Sequence, residues 1–84
     1  MSQYSKESIN SFVDEINKIA DARERWLTNI HVYDNEYYEF SMSILYIDKI
    51  FTAFNDVVLI ILTSDCRELK FRIGENTILE ISKK

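Results

Sequence analysis

The chain has 84 residues, of which 46% are apolar and 13% aromatic, with no proline, one glycine, one cysteine and a formal net charge of −4. That length fits a single domain, residues 1–84, built on one small core, and the apolar share excludes disorder. The acidic balance excludes a general nucleic-acid footprint, a lone cysteine excludes an internal disulfide, and the apolar run Val57 to Leu62 is too short to span a bilayer.

The opening MSQYSKESIN lacks the apolar centre of a signal peptide, so a cytoplasmic protein is expected. From Ser5 to Leu27 the spacing predicts one long amphipathic helix. Ile9, Phe12, Val13, Ile16, Ile19, Ala20 and Trp26 recur three and four apart and form its apolar stripe. Ser5 is the expected N-cap, and Glu7 suits the positive end of the helix dipole. Asp14 with Lys18, and Asp21 with Arg25, read as acid-to-base pairs at i,i+4. Trp26 continues the stripe and is expected to be buried.

The period then shortens to two. In Thr28 to Tyr33, Ile30 and Val32 face one way and His31 and Tyr33 the other. Asp34-Asn35 is the expected turn, and the chain returns with Tyr38, Phe40, Met42 and Ile44 on one face against Tyr37, Glu39, Ser41 and Ser43. Ile47, Ile50, Phe51 and Phe54 match a short second helix, with a strand as the alternative. The run VVLIILT reads as a central strand covered on both faces. After a turn at Ser64-Asp65-Cys66, Leu69, Phe71 and Ile73 alternate against Glu68, Lys70 and Arg72. Gly74-Glu75-Asn76 turns the chain into a last strand carrying Thr77, Leu79 and Ile81 on one face.

The sum is an α+β fold: a long N-terminal helix packed on one antiparallel sheet of about five strands, with the short helix between strands two and three. One helix cannot cover both faces of such a sheet. The second face needs the short helix, strong curvature or another molecule.

Few residues offer chemistry. His31 is the single histidine and has no predictable nucleophile or carboxylate partner, and Cys66 lies beside a turn with no histidine in reach by spacing. The acids Asp34, Glu36 and Glu39 lack the glycine of a calcium loop. No catalytic residue, metal site or cofactor is expected, and the chain is not read as an enzyme.

The stretch YDNEYYEF, Tyr33 to Phe40, carries three tyrosines and three acids with no base. Tyr33, Asp34, Glu36, Tyr37 and Glu39 are the candidate partner-binding residues: an acidic aromatic rim for a protein with a basic surface, with Tyr38 and Phe40 turned into the core. Tyrosines supply contact area, and carboxylates steer a basic partner. Size, charge and the poverty of catalytic groups resemble those of small acidic inhibitors, such as phage-encoded blockers of host or defence enzymes and immunity proteins against toxins. The expected function is therefore binding that inhibits or neutralises a macromolecule, without direct nucleic-acid or membrane contact. The alternative is a homodimeric structural or assembly subunit.

Overall fold

The computed structural model describes residues 6–34 and 39–83. Two helices come first: α1, Lys6–Lys18, and α2, Ala22–Leu27. The strands follow as β1 Thr28–Tyr33, β2 Glu39–Ser43, β3 Ile47–Ala53, β4 Val58–Thr63, β5 Glu68–Arg72 and β6 Ile78–Lys83. A 3₁₀ turn at Ile44–Tyr46 joins β2 to β3.

The single long helix is broken at Ile19 to Asp21. Asp21 adopts an extended conformation and caps α2, its carboxylate accepting from the Glu24 amide at 3.0 Å. A capped start satisfies an amide that a continuous helix would have bonded internally. The break also resets the helical phase. Ile9, Phe12, Val13 and Ile16 on α1 are buried, whereas α2 buries nothing and Trp26 remains 44% exposed, contrary to the stripe drawn through it. The expected N-cap Ser5 lies outside the described residues.

Asp21 and Arg25 do not form the expected pair. Arg25 reaches across to four carbonyl oxygens: Nη1 donates to Ile19 at 2.8 Å and Ile16 at 3.4 Å, and Nη2 donates to Ile44 at 2.8 Å and Ile47 at 3.0 Å. One guanidinium fork thus ties the C-terminal end of α1 to the 3₁₀ turn.

The strands form two antiparallel sheets of three, ordered β2-β1-β6 and β3-β4-β5, in place of one five-stranded sheet. The sheet divides at the 3₁₀ turn. Ser43 caps this turn by accepting from the Leu45 amide at 3.2 Å, and its hydroxyl lies 3.1 Å from the carbonyls of Arg25 and Trp26. Ile47 to Phe54 is accordingly strand and turn, not helix. A bulge between Ile47 and Lys49 places both Ile47 and Ile50 inward although they are three apart.

The inner faces share one core. Ile30 and Val32 of β1, Ile50 of β3, Leu59 and Ile61 of β4, Phe71 of β5 and Leu79 of β6 cluster with the apolar stripe of α1. The principal strand neighbours of α1 are β3 and β6, so the helix closes the side of the molecule that these two edges border. The outer faces differ. Behind β1 lie Asn29, His31 and Tyr33. Behind β4 lie Val58, Ile60 and Leu62, with Ile60 itself buried between its cross-strand partners Phe51 and Lys70.

The β3–β4 turn is a strained element. Phe54, Asn55 and Asp56 all take positive φ, at 55°, 59° and 67°. For Phe54 this conformation costs about 1–2 kcal/mol, while Asn and Asp adopt it more readily. The Thr52 hydroxyl donates to the Asp56 carboxylate and pins the turn. Phe54, expected on an apolar helical face, is held out at 74% exposure.

Candidate functional site

The side of the molecule bordered by β2 and β5 carries a cleft of about 560 Å³. Its apolar lining is Phe40 and Met42 from β2 and Leu69 from β5. At one end stand Tyr46 of the 3₁₀ turn and the β4–β5 turn with Asp65 and Arg67.

Local chemistry fixes each wall. Alternation in β2 turns Phe40 and Met42 inward opposite Val32 and Ile30, and alternation in β5 does the same for Leu69 and Phe71 opposite Ile61 and Leu59. The end wall is braced by Thr63. Its hydroxyl donates to the Asp65 carboxylate and accepts from the Arg67 amide at 3.0 Å, and Cys66 completes the turn at φ 68°. The Ser64 amide donates to the Tyr46 carbonyl at 2.9 Å and ties this turn to the 3₁₀ corner.

Aromatic surface continues out of the cleft. Tyr46 is 48% exposed and meets Trp26 edge-on, with ring centroids 6.4 Å apart and planes at 78°. At the far end Phe40 touches Phe71 across the gap, centroids 5.0 Å apart, so an aromatic bridge joins β2 to β5. Beyond it lies a second cleft of about 300 Å³, where Tyr33 and Asp34 at the end of β1 share the lining with Lys70, Phe71 and Arg72 of β5.

The expected acidic rim is only partly on view. Tyr33 and Asp34 are half-buried, and Glu39 is exposed as the cross-strand partner of Tyr33. Glu36, Tyr37 and Tyr38 lie outside the described residues. Lys70 and Arg72 line the same small cleft as Asp34, so that cleft carries charges of both signs. Phe40 faces inward as expected, although half-buried.

His31 lies on the outer face of the first sheet, where Nε2 and Ser82 Oγ share a hydrogen bond at 2.8 Å. Cys66 is an exposed free thiol. Among the described residues no three His, Cys, Asp or Glu side chains gather where a metal could be held, and no helix is long and apolar enough to cross a membrane.

Sequence reasoning missed Tyr46, Met42 and Leu69 as lining of the cleft, and Trp26 as the exposed ring beside it. The signal for Trp26 was present in Asp21-x-x-Glu24, a helix-start pattern that breaks the stripe before it. No local pattern announces Tyr46, whose exposure depends on how the corner folds. Comparison of the chain with protein-family models, with curated proteins and with solved structures finds no match.

Proposed function

We propose that the chain is a small binding protein that receives an extended, apolar segment of a protein partner in the cleft between β2 and β5. The observation that carries this reading is the Trp26–Tyr46 pair, half-exposed and continuous with the apolar lining of Phe40, Met42 and Leu69. Tryptophan and tyrosine presented beside an apolar pocket are the residue types that dominate binding energy.

Two further features favour an extended segment over a helix. Both walls are edge strands, and each carries amides and carbonyls not used by its one neighbour. A partner strand could bond to either edge while placing alternate side chains in the cleft. At the Tyr33 end, exposed Glu39 favours a basic residue in that segment, and Tyr33, Asp34, Glu36 and Tyr37 make up the rest of the rim in this reading. Holding the segment withdraws it from its owner, which is how a chain of this size and charge would inhibit or neutralise a partner. The binding protein itself performs no chemistry.

The test pairs capture with mapping. The full chain, immobilised, is expected to retain a partner that the Tyr46→Ala and Leu69→Glu variants lose, once both are shown to be folded. Tiled peptides of the retained protein should locate one short segment, and its activity should fall as the binding protein is added. Retention unaffected by either cleft variant would place the binding surface elsewhere. His31→Ala and Cys66→Ala should bind like the parent, and a hundredfold loss in either folded variant would revive a catalytic reading.

A further inference from the structure

The outer face of the second sheet follows from its register. Three cross-strand rows point away from the core: Lys49–Leu62–Glu68, Phe51–Ile60–Lys70 and Ala53–Val58–Arg72. The middle column is wholly aliphatic, with Val58 and Leu62 half-buried and Ile60 covered by Phe51 and Lys70 of its own sheet. On the β3 side stand Phe51, 40% exposed, and Ala53. At the turn end Phe54 and Val57 are exposed at 74% and 45%. On the β5 side every outward residue is charged. An apolar column bordered by aromatic surface on one flank and charge on the other is unusual for a face left to water.

The arrangement is complementary to itself. A two-fold axis laid along β4 brings each row against the same row of a second copy, reversed. Lys49 then faces the second copy's Glu68, and Glu68 faces its Lys49. Phe51 lies over the second copy's Lys70, and the reverse, while Leu62 and Val58 meet their own equivalents on either side of the buried Ile60. Opposite charges are matched twice, and an ammonium twice meets an aromatic face. The other two-fold axis in this plane, across the strands, would match Glu68 with the second copy's Arg72, but it sets Lys70 on Lys70, a like-charge contact that the axis along β4 avoids. Glu68 already lies 3.7 Å from Lys70 in its own chain, but its side chain is 54% exposed and can accept a second cation. Aligned sheets pack face to face about 10 Å apart, which suits side chains of these lengths.

We propose that this face is a homodimer interface, formed by the β3-β4-β5 sheets of two copies about an axis along β4. It is separate from the larger β2–β5 cleft, shares only Lys70 and Arg72 with the small cleft at Tyr33, and does not depend on the partner-binding reading. The β3–β4 turn adds Phe54 at one end of the contact, which gives the exposed, strained aromatic residue a place to be buried.

Sedimentation equilibrium of the full chain across the micromolar range tests it, with circular dichroism and melting as checks on folding. The parent chain is expected to dimerise. Phe51→Lys would set lysine against the second copy's Lys70 and should abolish dimerisation in that range. Lys49→Glu and Glu68→Lys each create two like-charge contacts and should weaken the dimer about tenfold or more. The double variant with both changes exchanges the charges and should return association to near the parent value. Tyr46→Ala, in the cleft, should leave it unchanged. A monomeric parent, association that survives Phe51→Lys, or a double variant no better than the singles would each overturn the interface.

Discussion

The two sheets of this protein have inner faces of one kind and outer faces of two. Behind β1 the chain places Asn29, His31 and Tyr33 beside Ser41, Glu39, Glu80 and Ser82, with Ile78 the one aliphatic residue among these partners, a mostly polar face that water can cover. Behind β4 it places Val58, Ile60 and Leu62. The difference lies in the pattern of one strand against another: TNIHVY alternates, while VLIILT does not. An alternating strand specifies its own register, because slipping by one residue would bury histidine and expose isoleucine. A continuous run carries no such instruction. The register of β4 is set instead by its neighbours, whose Lys49, Glu68 and Lys70 tolerate only one side.

Substitutions can break this comparison, and the largest effects should come where the sheets are alike. Ile30→Ala and Ile61→Ala, both at fully buried inner positions, should each cost about 2–5 kcal/mol in denaturant unfolding. A loss confined to one of them would mean that the two inner faces do not share a core. Next is Arg25→Ala, which removes four bonds to carbonyls of α1 and the 3₁₀ corner and should cost about 2–3 kcal/mol. Arg25→Lys should recover little of it, since one ammonium cannot span both sites.

The outer faces should then separate. Ile60→Thr is expected to cost about 1–2 kcal/mol, the lost burial of part of one side chain, even at concentrations where the chain is monomeric. His31→Thr, at the matching position of the other sheet, should stay within about 0.5 kcal/mol. Equal losses would erase the distinction between the faces. Phe54→Gly relieves a left-handed residue and should stabilise the monomer by about 1 kcal/mol, read as a higher melting temperature. Gly74→Ala should be nearly neutral. That glycine does not adopt positive φ, and an added methyl would meet only the Thr77 hydroxyl, at 4.0 Å.

These positions also show what could be read from the chain beforehand. Alternation located β1 and β5 and assigned their faces, because a period of two survives in any sheet. The spacing of Ile47 and Ile50 misled, because a bulge gives inward residues three apart and so imitates a helical step. Trp26 misled for the opposite reason: the stripe was extended through a cap that Asp21 and Glu24 already spelled out. The cleft was illegible as a unit. Phe40, Tyr46, Leu69 and Arg67 come from separate segments, and only the division into two sheets brings them together. The acidic rim could be read as composition, but not the fact that Lys70 and Arg72 would stand across from Asp34.

The pairing of β1 with β6 has a consequence for how the chain acquires its shape. His31 and Ser82, which meet across these strands, are 51 residues apart in sequence. The strands β3, β4 and β5 are a local meander, each closing on the one before it. Contacts near in sequence form before distant ones, since less chain must be ordered to make them. During synthesis, therefore, β3-β4-β5 can assemble while β1 still lacks one of its two neighbours. The inner face of that meander, with Leu59, Ile61 and Phe71, then waits for Leu79 of β6 to complete the core.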